Sequence, residues 1–135
     1  MAMRKQQGGL LIENLVALLL FSTGLMGMIG LLGTAYKQVA DARHRNEASM
    51  LANQVLGQMW LDDKSNAALR ANYASPDGPK FIAWRSAVAG ALPQAAQHAP
   101  TVAVGADNLV TVTVQWRLPG KAVANRYTVS ASIHP

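Results

Sequence analysis

Cysteine is absent from the 135 residues. The fold therefore has no disulfide, and a thiolate metal site or a cysteine nucleophile is excluded. Charge is almost absent from the first third of the chain: between Lys5 and Lys37 the only charged residue is Glu13. Patterns that carry catalysis are missing as well. His44, His98 and His134 are far apart, with no partners at ligand spacing. No nucleophile elbow or triad motif occurs. No phosphate loop occurs either, because the glycine-rich stretch lies inside the apolar run. No catalytic residue, cofactor or metal site is expected.

What is present is hydrophobicity, and it is unevenly spread. Half of the chain (50%) is hydrophobic, and the formal net charge is +5. The cations outside the first residues are scattered from Lys37 to Arg126, without a dense run. They read as a solvated surface, and no nucleic-acid partner is expected. The length fits one domain with an appended segment. The uncharged stretch is longer than the roughly 20 residues that cross a bilayer core as a helix. The roughly 100 residues after it can bury a small core of their own.

The opening "MAMRKQQGG" has the basic character of a secretory n-region. The apolar run that follows exceeds the roughly 7–15 residues of a signal-peptide core. It therefore reads as an uncleaved anchor in contact with membrane lipid. Arg4 and Lys5 precede it, so the N-terminus is expected on the cytoplasmic side and the remainder outside the inner membrane. An acid in such a span costs roughly 2.5–3.5 kcal/mol at the helix centre and usually marks function. Glu13 is nearer the end, where water and the helix dipole would tolerate a carboxylate.

The string "GGLLIENLVALLLFSTGLMGMIGL" nonetheless resembles the N-terminus of a type IV prepilin. In that family a basic leader ends in Gly, and the mature chain carries Glu at its fifth position. A break between Gly8 and Gly9 puts Glu13 fifth. Gly9 stands where the family usually has Phe or Met, a departure that bears on methylation of the new terminus more than on cleavage. The continuation "LVALLLFSTGLMGMIGLLGTAY" resembles the PilV-like minor pilins. The likeness covers roughly residues 4–60.

The resemblance implies an α+β, type IV pilin-like fold: a long N-terminal helix, half of it transmembrane, packed on a small antiparallel sheet. It implies a cleaved leader at 1–8, an assembly and membrane segment at 9–36, an amphipathic helical segment at 37–61, and a head at 62–135. It also implies that Glu13 pairs with a freed α-ammonium during assembly. The partners it implies are other minor pilins, the major pilin, a prepilin peptidase and an inner-membrane assembly platform. The role it implies is non-enzymatic: priming a pilus within a complex at or near the tip. A minor pseudopilin of a type II secretion system shares this processing and layout. A DNA-uptake pilin and a membrane-tethered periplasmic enzyme are further alternatives.

Gly24, Gly27, Gly30 and Gly33 recur every third residue within the span. Steps of three drift about 60° around a helix, so these residues form a slanting groove. Small residues let a neighbouring membrane helix approach closely. Each Gly also weakens a helix by roughly 1 kcal/mol relative to Ala, so local melting is a second reading.

After the span, "TAYKQVADARHRNEASMLANQVLGQMW" continues without proline. Ala48, Leu51, Ala52, Val55, Leu56 and Met59 follow helical spacing. One helix is therefore expected from about Leu10 to Leu61, its second half laying one face on a globular core. "DDKSNAALRANYASPDGPK" reads as a loop with room for one short helical turn. Asp62, Asp63 and Asp77 within it match no calcium-loop spacing and read as solvated surface. "KFIAWRSAVAGALP" reads as a short helix with Phe81, Trp84, Val88 and Leu92 on one side. Period-two runs then predict a three-stranded antiparallel meander. They are Val102 and Val104; Val110, Val112, Val114 and Trp116; and Val123, Tyr127, Val129, Ala131 and Ile133.

Overall fold

The computed structural model describes residues 7–134. Residues 1–6, most of the expected leader, lie outside the described residues. The described chain is helical from Gln7 to Leu61 and mixed beyond it. Helix α1 covers Gln7–Leu61, α2 Asn66–Tyr73 and α3 Pro79–Ala91. Strands β1 (Thr101–Val104), β2 (Leu109–Trp116) and β3 (Asn125–Ser132) follow. The chain divides into two compact units, one ending at Asp41 and one running Ala42–Pro135.

In the first unit, α1 from Gly8 to Ala40 is exposed throughout. Its apolar side chains are bare: Leu18, Leu20, Phe21, Ile29 and Leu31 are each more than half exposed. The helix contains an 18-residue window with a mean hydropathy of 2.3, so by length and composition it can cross a membrane. Its hydroxyls are already satisfied. Ser22 Oγ donates to the Leu18 carbonyl at 2.7 Å, Thr23 Oγ1 to Leu20 at 2.9 Å, and Thr34 Oγ1 to Leu31 at 2.8 Å. Bonding back to the helix lets a hydroxyl enter an apolar medium without an unmet hydrogen bond.

In the second unit the expected face of α1 is buried: Ala48, Ala52, Val55 and Met59 are fully covered, Leu51 and Leu56 nearly so. Burial begins at Ala48, well inside the amphipathic segment expected from residue 37. The same core takes in Leu69 and Tyr73 of α2, Phe81, Trp84 and Val88 of α3, and the inner row of the sheet. The indole Nε1 of Trp84 donates to the Leu51 carbonyl at 2.9 Å, fixing α3 on α1.

The segment 62–80 departs from the expected loop. It holds α2, a two-turn helix. Ser65 caps it, its Oγ accepting from the Ala68 N–H at 3.3 Å. Four residues apart, Leu69 and Tyr73 bury on one face. A cap and two anchors therefore outweigh the polar composition that suggested a loop. Helix α3 starts with Pro79 in its first turn, where the missing N–H costs nothing.

The sheet order is β1-β2-β3, both pairs antiparallel. Val110, Val112, Val114 and Trp116 of β2 are buried, while the alternate residues Thr111, Thr113 and Gln115 are half-exposed. One face lies on the core and the other faces water. β3 starts later than expected. Val123 is 77% exposed and precedes the strand. The chain is still turning there, with Gly120 at φ 81° and the Lys121 N–H donating to the Leu118 carbonyl. Ile133, just past β3, is fully buried.

Candidate functional site

The residues singled out in the N-terminal half all lie on α1. Gly8 and Gly9 sit in its first turn, because the helix begins at Gln7. Glu13 is the seventh residue of this helix, so it lies beyond the first turn, where the dipole effect has faded. Its side chain is exposed. Counted from Gly9, it is fifth.

Gly24, Gly27, Gly30 and Gly33 are exposed, and a Cβ built on any of them meets nothing within 4 Å. Packing inside this chain therefore does not require glycine at these positions. A shallow apolar notch beside Gly24 is lined by Leu20, Phe21, Leu25 and Met28.

The head carries one polar cluster that sequence reasoning missed. The Asp62 carboxylate accepts from both the Lys80 ammonium and the Tyr73 hydroxyl. The hydrogen bond from Lys80, reinforced by the one from Tyr73, holds the Asp62 carboxyl below its ordinary value of 3.8. Burial, and then the bond to Asp62, pushes the Tyr73 phenol well above its ordinary value. Lys80 also stands 5.4 Å from the centre of the Tyr73 ring. The three residues are held by α1's end, α2 and the start of α3. Beside them an open groove between α1 and α3 is lined by Gln54, Gln58, Ala83, Trp84 and Ala87. Asp62 is engaged as an acceptor by both partners. The arrangement fastens the helices together.

A second network missed by sequence reasoning ties α2 to the β1–β2 turn. Asn66 Nδ2 donates to the Gly105 carbonyl and to Asn108 Oδ1, each at 2.8 Å. Asn108 Nδ2 donates to the Lys64 carbonyl at 2.9 Å. Asn108 adopts φ 53°, a left-handed conformation that Asn tolerates better than most residues.

Among the described residues, no three His, Asp or Glu side chains come close enough to hold a metal ion together. Asp62 and Asp63 are separated in function: Asp62 joins the cluster above, and Asp63 Oδ1 accepts from the Ser65 N–H at 2.9 Å. Comparison with protein-family models, with curated proteins and with solved structures gives no match for this chain.

Proposed function

We propose that this chain is a minor subunit of a type IV pilus, made as an inner-membrane precursor and acting without catalysis. Its N-terminus is cytoplasmic and its head periplasmic. A prepilin peptidase cuts between Gly8 and Gly9, and the mature subunit joins other minor pilins in a complex that primes the filament and stays near its tip. The major pilin follows, drawn through the assembly platform.

The observation that carries this reading is Glu13: one exposed carboxylate on a helix otherwise uncharged from residue 7 to residue 36. In lipid such a group is costly. A positive helix terminus on a neighbouring subunit relieves that cost, so the acid favours entry into a filament and fixes axial register. The helix that bears it exposes apolar side chains on every face, as a subunit does that awaits lipid or neighbouring helices. The four glycines leave a groove in that helix that this chain does not fill. Adjacent glycines at the cleavage point also make the first turn easy to unwind, at roughly 1 kcal/mol each relative to Ala.

The test is the N-terminal mass of the protein extracted from membranes, with and without the peptidase. A chain starting at Gly9 only when the peptidase is present supports the proposal. A start at Met1 or Ala2 in both cases makes the segment an ordinary anchor and ends it.

A further inference from the structure

We propose that the outer edge of β3 is a docking site for an extended segment of another protein, one alternating β-branched apolar residues with hydroxyl residues. The proposal concerns the head alone and stands whether or not the leader is cleaved.

The sheet has two edges, and the fold closes one of them. At β1 the Val102 carbonyl accepts from the Ser75 N–H at 3.0 Å and from Ser75 Oγ at 3.1 Å, and the Val102 N–H donates back to Ser75 Oγ at 3.3 Å. That edge is four residues long and plugged. β3 is different. The Ile133 N–H donates to the Asn108 carbonyl at 3.0 Å, in register with the pair Leu109↔Ser132. Antiparallel alternation then turns the backbone of Tyr127, Val129 and Ala131 toward β2, and that of Arg126, Thr128, Ser130 and Ser132 outward. Among the described residues, no hydrogen bond reaches those outward groups.

Open edges are normally guarded by proline, inward charge, a bulge or shortness. β3 is eight residues long, contains no proline, and pairs with β2 one to one without a bulge. Its one charge, Arg126, lies on the solvent face.

The chemistry of the occupant follows from what β2 supplies on the opposite side. There Val114, Val112 and Val110 stand opposite Tyr127, Val129 and Ala131 on the core face. On the solvent face Thr111 Oγ1 bonds to Ser130 Oγ at 2.9 Å and Thr113 Oγ1 to Thr128 Oγ1 at 3.2 Å. A strand presents the same two side-chain rows to both neighbours, so the outer edge offers the same match. The apolar row is still half-covered. Helix α1 extends this shelf: Ser49 Oγ donates to the Tyr127 hydroxyl at 3.1 Å, marking the flank of α1 that faces β3. Trp60, 45% exposed, lies on that same flank, close to three full turns further on. Backbone bonds would supply the affinity and the alternating pockets the selectivity, as in other cases of strand addition.

The test is backbone amide exchange by NMR on the full chain in detergent micelles, with a soluble peptide copying Leu109–Trp116 between flanking lysines. Without peptide, the amides of Arg126, Thr128, Ser130 and Ser132 exchange fast, while those of Tyr127, Val129 and Ala131 are protected. The peptide slows the four outward amides by about tenfold or more, and a scrambled peptide does not. Thr128→Pro removes one outward donor, spares the inner ladder and abolishes the effect; Ser130→Pro serves if that variant unfolds. Unchanged exchange at millimolar peptide overturns the proposal. So does protection already present in the free chain that rises with protein concentration, which would give the edge to a second copy.

Discussion

The indole N–H of Trp84 reaches the carbonyl oxygen of Leu51 at 2.9 Å, joining two helices through residues 33 apart in the sequence. Trp84 is only 5% exposed, and its ring lies 6.1 Å from that of Phe81. Packing and hydrogen bonding separate cleanly here. Trp84→Phe keeps most of the apolar volume and removes the donor, a loss of about 1 kcal/mol. Trp84→Ala also opens a cavity and costs about 3–5 kcal/mol. Chemical denaturation of the two variants measures the difference, and equal losses would mean that the ring's volume contributes nothing.

Asp62 contributes to the acid limb of the head's stability. Its folded pKa is lowered by the bonds from Lys80 and Tyr73. A group depressed in the folded state stabilises above its unfolded pKa, and that contribution is lost as pH falls through the folded value. Melting temperature should therefore drop below about pH 4, and Asp62→Asn should flatten that drop. Tyr73 works in the opposite limb. Its raised pKa means that the folded state favours the neutral phenol. Stability from it is complete below the unfolded value and is lost as pH rises toward the folded one. Tyr73→Phe should remove the loss seen above about pH 10. Melting curves from pH 2 to pH 11 would reveal both limbs, as ordinary buffers span that range.

Gly78 is the most crowded glycine in the head. A Cβ there would stand 2.5 Å from the Asn72 carbonyl oxygen and 2.9 Å from the Tyr73 amide nitrogen. Those atoms belong to the end of α2 and cannot turn aside as a flexible side chain could. Gly78→Ala should therefore destabilise the head by about 1–3 kcal/mol. Gly90→Ala is the control, because a Cβ at that position meets nothing within 4 Å. It is the last residue but one of α3, and the change there should be neutral or stabilising by less than about 1 kcal/mol. Parallel denaturation curves would decide the pair.

Periodicity made α1, α3 and the strands legible, while α2 and the contacts between distant residues were not. Ala48, Leu51, Ala52, Val55, Leu56 and Met59 repeat at helical spacing because one face meets the core, and all six are buried. Val110, Val112 and Val114 alternate for the corresponding reason in a sheet. The cluster of Asp62, Tyr73 and Lys80 left no such trace. Its members are spaced by 11 and 18 residues and meet only because α2 folds back between α1 and α3. Asn66 and Asn108 are 42 apart, joined by the β1–β2 turn, and an isolated Asn reads as loop chemistry. Val123 misled because alternation alone does not show where a turn ends; Gly120 and the Leu118–Lys121 bond delay β3. At the N-terminal site, Glu13 and the glycines were visible because an apolar run makes any exception stand out. Their fate in an assembly depends on chains that are not this one.

Glu13 gives the prediction closest to function. The acid is exposed on α1, five positions from the proposed break if Gly9 counts as the first. Under the proposed function, cleavage needs the glycines and the leader, whereas assembly needs the carboxylate. Glu13→Ala should therefore be processed like the wild type and fail to enter filaments. A bulky residue in place of Gly8 should do the reverse at the first step, leaving an unshifted precursor on a gel. In lipid, removing the acid relieves roughly 2.5–3.5 kcal/mol at most, so the variant should be held in the membrane at least as well as the parent chain. Loss from filaments without loss from the membrane would then come from a missing intersubunit contact. Quantifying the protein in sheared filaments and in membranes from the same cells separates the two. Wild-type abundance of Glu13→Ala in the filament fraction would remove the acid from assembly, and with it the observation on which the pilus reading chiefly rests.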